Sequence, residues 1–477
     1  MGQEIQSGRF NKHDFELFAR HLREETDLLE RWFREARLSH RHGLGGFELE
    51  AWLVDEAGRP APVNREFMTL ANDALVSPEL SLFNIELNST PQRVAGDALR
   101  VMHQELQANW ARCGRVAARL GTHLVMIGIL PTVAEQMLTL ENMSHMQRYR
   151  ALNEQVLRLR GGRPLSLDIQ GAEHLHTQHG DVMLEAATTS FQIHLQVALE
   201  KAVRYFNATV ILSAPMVAAT TNSPLLFGRH LWRETRIPLF EQAVAVGGFA
   251  GAAFGPVRRV TFGTGYVRGS LMEFFRENLE HYPLLLPVAL EEGAERLAHL
   301  RLHNGTIWRW NRPLIGFDAD GAPHLRIEHR VVPAGPSVED SIANAALFFG
   351  LSHMLAEQAV PPEATLDFAR ARENFYAAAK HGLQAQVTWI DGRHGSVGAL
   401  LRQELLPLAR TGLRRLGCDR RDIDRYLGVI EGRLANGQTG AQWQLDYRAS
   451  HGGDLEALVA AYWRHQESGA PVHEWTV

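Results

Sequence analysis

The sequence predicts an α/β protein of the α+β kind, with a largely antiparallel sheet in its first two thirds and helices in its last third. Three observations carry this. Short segments between about residues 43 and 336 alternate polar and apolar side chains with the period of two of a strand. Glycine and proline punctuate those segments, and helical patterns lie between them. From Ser337 onward the apolar residues recur mainly at spacings of three and four.

Taken in order, residues 1–42 form an N-terminal helical segment. Phe15, Phe18, Leu22, Leu29, Trp32 and Phe33 lie on an amphipathic helix over 12–38 that packs over the core. Residues 43–337 form the strand-rich core, with a helix from Asp97 to Leu120 that stops at Gly121. Residues 338–477 read as helices at 338–358, 366–382, 399–416, 420–435 and 453–467, packed on the core. With 477 residues, 45% of them hydrophobic and 22% charged, the chain can bury a sizeable core, which excludes disorder as its main state. Its length allows two or three units or one elaborated enzyme domain.

Several function classes fall away on composition. The net charge of −5 offers no electrostatic footprint for nucleic acid or an anionic membrane, so the expected partner is a small molecule. Cys113 and Cys418 are the only cysteines, which excludes a disulfide framework and a thiolate zinc cluster and favours a reducing compartment. The first thirty residues carry many charges and no apolar export signal, so a cytoplasmic protein is expected. The longest uncharged stretch, Tyr205 to Gly228, holds two prolines, two asparagines and several hydroxyls, which argues against a membrane span. Lys12, Lys201 and Lys380 are the only lysines and no Gly-x-x-x-x-Gly-Lys occurs, so arginine or metal must meet any bound phosphate. A homo-oligomer is compatible with the sequence.

Four strands present acidic, amide or basic faces. In 47–54 Glu48 and Glu50 share one face, roughly 7 Å apart, with Phe47, Leu49, Ala51 and Leu53 on the other. In 83–88 the polar row is Asn84, Glu86 and Asn88; in 190–197 it is Gln192, His194 and Gln196; in 325–331 it is Arg326, Glu328 and Arg330. Any one strand alone fits an antiparallel sheet that is packed on one side and wet on the other. Together the faces hold metal-ligand and phosphate-pairing residues rather than the Thr, Ser and Lys of an ordinary wet face. Clustered glutamates suit a hard cation such as magnesium, which takes oxygen ligands and retains substrate phosphates. The run from Trp310 to Phe317, a turn near Asp320 and the return from Leu325 to Val331 form a hairpin. That hairpin sets Arg312 across from Glu328 within a residue or two. Arginine forks beside a metal-binding glutamate suit a transferring phosphoryl group, and cross-strand salt bridges would use the same residues.

These elements resemble the glutamate-cysteine ligase family of carboxylate–amine ligases, relatives of glutamine synthetase. Gly-Phe-Glu-Leu-Glu at 46–50 is similar to the family's Gly-x-Glu-x-Glu strand, and Glu86 stands at its next acidic strand position. Gln192-Ile-His194 resembles a His-x-His strand, with glutamine in place of the first histidine. Asn222-Ser-Pro224, Gly228 and Arg236 follow, with Glu234-Thr-Arg236 where the usual form is Ser-x-Arg. Trp310-Asn-Arg-Pro and Glu328-His-Arg330 resemble the closing elements. The match runs from Gly46 to about Leu347.

The resemblance implies a glutamine synthetase-like curved sheet with helices on its convex face, two or three Mg2+ ions and ATP as co-substrate. The metal ligands would be Glu48, Glu50, Glu86, Gln192, His194 and Glu328; Arg312 and Arg330 would be catalytic, and Arg236 and Asn222 would bind substrate. The implied reaction forms an amide through an acyl phosphate, on the carboxylate of glutamate. The rivals are a guanidino kinase-type phosphotransferase, a catalytically silent nucleotide- or amino-acid-binding protein, and a metal-dependent hydrolase from the carboxylates alone. Three lesser features read as structure: Glu173–His179 as a polar loop, Phe262–Gly269 as a turn and Cys113 as buried packing.

Overall fold

The eleven residues Leu44–Val54 form the central strand of an eight-stranded sheet. The structure is a computed structural model that describes Ile5, Gly8, residues 10–246 and residues 258–477. Across the sheet the order is Asn311–Phe317, Pro323–His329, Phe191–Val197, Leu44–Val54, Asn84–Asn88 and Val76–Pro78. Gln92–Arg93 and His123–Val125 pair with the two ends of the central strand. Every pairing in this sheet is antiparallel.

The alternation read from the sequence decides the two faces. Phe47, Leu49, Ala51 and Leu53 are buried on one side with Phe83, Ile85, Leu87, Phe191, Ile193 and Leu195. The helices Ala202–Thr220 and Val338–Ala356 pack behind that face. The Leu199–Thr220 stretch is long and apolar enough to cross a membrane by composition, yet it is buried almost throughout as this core helix. The polar side is not a wet surface. Glu48, Glu86, Gln192, His194, Gln196 and Glu328 are all buried, because further elements wall it into a cavity.

Two attachments hold those walls. The helix Lys12–Arg34 is capped by Asn11, whose side chain accepts from His13 and Asp14, and it buries Phe18, Leu22, Leu29 and Trp32. Its buried Glu25 accepts from His299 Nδ1 at 2.7 Å and from the Leu300 amide at 2.8 Å. A carboxylate there meets the N-terminal turn of the helix Ala298–Gly305, whose other side lines the cavity. At the far side, Arg433 donates to Asp340 Oδ1 at 2.8 Å, Asn344 Oδ1 at 2.7 Å and Ala219 O at 3.1 Å. Tyr462 and Gln466 both reach Met126 O, so the C-terminal helices are tied to the sheet's own connections.

The helices of the last third fall at Val338–Ala356, Phe368–His381, Val397–Leu416 through a π turn, Arg420–Asn436 and Leu455–Ser468. Gly440–Ser450 is a further helix, and Gln386–Thr388 pairs with His394–Ser396. Glu173–His179, expected as a loop, is largely a strand. His174–His179 pairs with Leu165–Gln170, and the buried Leu175 packs while His174 and His176 are exposed. Cys113 is buried packing.

Candidate active site

Strand register brings the polar rows together. Glu48 lies between Asn88 and Gln192 on the neighbouring strands, and Glu50 lies opposite Glu86. Glu328 lies opposite His194 on one side and Arg312 on the other, so the hairpin has the register its turn demanded. Two groups of candidate ligands result. Glu48, His194 and Glu328 bring ligand atoms within 4.8 Å of one another, and so do Glu50, Glu79 and Glu86. Both groups lie along one cavity of about 520 Å³, whose wall includes Glu48, Glu50, Glu79, Gln192, Arg312 and Arg330.

Arg312 and Glu328 form a two-pronged pair, Nε to Oε2 at 2.8 Å and Nη2 to Oε1 at 2.9 Å. Arg330 Nη1 donates to Glu328 Oε2 at 3.1 Å and to the amide oxygen of Gln192. Gln192 Nε2 donates in turn to Glu50 Oε1 at 2.8 Å, and Ser190 donates to both Glu50 oxygens. Arg326 lines the same cavity and makes no hydrogen bond or ion pair among the described residues.

The site's electrostatics carry an excess of buried negative charge. Burial, and then Glu86 and Glu328, push Glu48 up to about 8. Burial and then Glu86 hold Glu79 well above the carboxylate range, and Glu50 is raised by burial despite Arg330. Glu185 is pushed up to about 8 by burial and by Glu50. Glu328 is the exception: burial raises it, but Arg312 and Arg330 outweigh that and keep it ionised. His194 is held well below 6.5 by burial and by Arg326, so its imidazole is neutral and able to act as a ligand.

A divalent cation fits this donor set. Glu48 Oε2 and both ring nitrogens of His194 are buried without a hydrogen-bond partner among the described residues. His194 Nε2 stands 3.4 Å from Glu48 Oε1, too poorly aimed to bond it. Oxygen donors with one imidazole suit a hard ion, and the charge it brings would allow every carboxylate to ionise.

Three expected residues have their polar groups engaged within the protein. The Gln192 oxygen accepts from Arg330, so this side chain bridges Arg330 and Glu50 rather than presenting a free ligand atom. Asn222 is fully buried and donates to Ala334 O and Tyr462 Oη. Arg236 is bonded to Glu234 and Val331 O, 5.2 Å over the ring of Trp310. Neither Asn222 nor Arg236 lines the cavity; both tie its strands to the helices behind.

Glu79, Glu185, Arg148 and Tyr149 line the cavity and escaped the sequence reading. Glu79 follows the short strand Val76–Pro78, whose partner strand carries Glu86 opposite Ser77. Glu185 lies on a 3-10 turn and Arg148 on a helix, where no alternation marks them.

The family model for glutamate-cysteine ligase family 2 matches residues 44–461, which spans the sheet, both candidate clusters and most of the C-terminal helices. The chain belongs to that family. Among solved structures, it resembles the glutamate–cysteine ligase of Francisella tularensis in complex with AMP. The TM-score is 0.51 at 10% identity, over 90% of each chain. That likeness is one of fold. A bifunctional glutathione synthetase from Pasteurella multocida gives 0.46 at 10% identity, over 93% of this chain and 55% of that one. The ligase PafA in complex with the ubiquitin-like protein Pup gives 0.37 at 9%, over 90% and 73%. Comparison with the curated proteins returns no match. The sheet of this chain is a curled, antiparallel one with helices behind it.

Proposed function

We propose that this protein is an ATP- and magnesium-dependent carboxylate–amine ligase that activates a carboxylate, that of glutamate by family likeness, and joins it to an amine. One observation carries the reading. Two carboxylate clusters stand side by side on the sheet, with the arginines of the closing hairpin against one of them, all along a single cavity.

In the first step a carboxylate oxygen of the acid bonds to the γ-phosphorus while the bond from that phosphorus to the β,γ-bridging oxygen breaks, releasing ADP. In the second, the amine nitrogen bonds to the acyl carbon, the carbon–oxygen bond to phosphate breaks, and the nitrogen loses a proton. Divalent ions held by Glu48, His194 and Glu328, and by Glu50, Glu79 and Glu86, would neutralise phosphate oxygens. Arg330 is fixed by Glu328 and Gln192, and Arg312 by Glu328, so both guanidinium groups are oriented before substrate arrives. Arg326, without a hydrogen-bond or ion-pair partner among the described residues, is available to an anionic group. No protein nucleophile is required, since positioning and charge neutralisation supply the catalysis.

The test is phosphate release from ATP with MgCl2, glutamate and a panel of primary amines, with products weighed by mass spectrometry. The reading expects release that needs magnesium and both substrates, and a product equal to acid plus amine less water. A stable phosphorylated product without amide would make the protein a kinase. Nucleotide binding with no phosphate release in any combination would make it a binding protein.

A further inference from the structure

Two acids of the cavity wall, Glu185 and Glu292, stand outside both metal clusters and the ion pairs among the described residues; Glu292 is exposed, and Glu185 is half-buried beside Glu50. It sits on the 3-10 turn Met183–Ala187, and its side chain lines the cavity. Among the described residues its carboxylate makes no hydrogen bond and no ion pair, whereas Glu50 and Glu328 are each held by at least two donors. It belongs to neither group of three whose ligand atoms converge within 4.8 Å. Its electrostatic neighbours are Glu50, Glu79, Tyr149 and Arg330. The wall at this end also carries Leu152 and Val182.

A carboxylate in such a wall, already crowded by other acids, is stabilised by a cation that brings its own hydrogen-bond donors. An alkylammonium group supplies three donors and an apolar stem, and the aliphatic Leu152 and Val182 suit that stem, while Arg148 already lies over the ring of Tyr149, 4.5 Å from its centroid. Arg326, which makes no hydrogen bond or ion pair among the described residues, lines the same cavity on the Glu48–His194 side, four residues along the strand from Arg330. Arg326 and Arg330 are therefore roughly 13 Å apart along the strand at about 3.3 Å per residue, and Glu185 stands near enough to Arg330 to feel its charge.

We propose that Glu185 seats a primary ammonium group of a substrate, either that of the amine acceptor or the α-ammonium of the amino acid. This deepens the ligase reading and rests on it. The experiment titrates the wild type and Glu185→Gln, each with MgCl2 and the ATP analogue AMP-PNP present, by calorimetry with three probes. These are L-glutamate, glutarate (the same diacid without the ammonium) and propylamine. Glu185→Gln is expected to lose about tenfold or more in affinity for one ammonium probe, with glutarate and AMP-PNP unchanged. A loss for propylamine assigns the acceptor's ammonium, and a loss for glutamate alone assigns the α-ammonium. Glu185→Asp, which keeps the charge, should retain more of that affinity than the amide. Both ammonium probes binding Glu185→Gln as well as the wild type, or neither binding the wild type, overturns the proposal. So does loss of Mn2+ binding in Glu185→Gln, which would make Glu185 a metal ligand. Failure of AMP-PNP to bind the wild type would instead sink the ligase reading.

Discussion

Glu48→Gln separates a metal site from a merely acidic surface, because the two make opposite predictions for the metal-free protein. Glu48 is buried, one of its oxygens has no hydrogen-bond partner among the described residues, and its acidity is pushed from 4.5 up to about 8, first by burial and then by Glu86 and Glu328. A carboxyl raised in the folded state contributes stability below the unfolded value, and that stability is lost as pH rises through the folded one. At pH 8 the unfolded chain ionises freely while the folded chain resists, a difference of about 4 kcal/mol. Glutamine removes this repulsion but buries an amide with incomplete hydrogen bonding, which costs about 1–3 kcal/mol. The net gain for the metal-free variant at pH 8 is about 1–3 kcal/mol. For a chain of 477 residues that shifts Tm upward by about 1–3 °C, at roughly 2.1 cal/mol/K of unfolding entropy per residue. At pH 5 the gain should vanish. Magnesium at about a hundredfold over its Kd should stabilise the wild type by about 2.7 kcal/mol, and the variant by much less. The assay is thermal unfolding of both proteins at pH 5 and pH 8, with EDTA and with MgCl2. A variant less stable than wild type at pH 8 in EDTA, or an undiminished magnesium shift, would refute the reasoning.

Three further outcomes follow from the same structure. Glu25→Ala should destabilise the protein by about 3–5 kcal/mol in denaturant unfolding, because it leaves His299 and the Leu300 amide buried without their acceptor; a change under about 1 kcal/mol would mean the N-terminal helix is not fixed by that contact. Burial holds His303 at about 4, below its unfolded value near 6.5, so its stability contribution is lost as pH falls from 6.5 toward 4. His303→Gln, which keeps a donor for Asn278 O, should therefore lose about 2 kcal/mol less than wild type between pH 7 and pH 5, and parallel curves would contradict this. Arg326→Ala should raise the KM for ATP about tenfold or more while leaving the fold and Tm nearly unchanged, since among the described residues the side chain has no hydrogen-bond or ion-pair partner to lose; an unaltered KM would remove Arg326 from the phosphate path.

Much of the fold was legible because alternation in an antiparallel sheet is strict. Once Phe47, Leu49, Ala51 and Leu53 face the core, Glu48 and Glu50 must share the other side, and the pairing of Arg312 with Glu328 follows from the turn. The candidate ligands on regular strands came out together for that reason. Glu79 and Glu185 did not, because one lies just past a three-residue strand and the other on a 3-10 turn, where the period says nothing about direction. Gln192, Asn222 and Arg236 were placed by motif likeness, which locates a residue in the chain but not the partners that satisfy it. Gln192 spends its amide on Glu50 and Arg330, Asn222 spends its amide on Ala334 O and Tyr462, and Arg236 spends its guanidinium on Glu234 and Val331 O. Periodicity also left open whether the polar face met water. The helices that roof it are far away in sequence, and only their packing turns the face into a cavity.

The direct measurement is a crystal grown with MnCl2 and AMP-PNP, examined for anomalous scattering at the manganese edge. The account predicts one manganese among Glu48, His194 and Glu328 and another among Glu50, Glu79 and Glu86, each touching phosphate oxygens of the nucleotide. Nucleotide bound in the cavity with no manganese at either group, or manganese bound only on the outer surface, would contradict it.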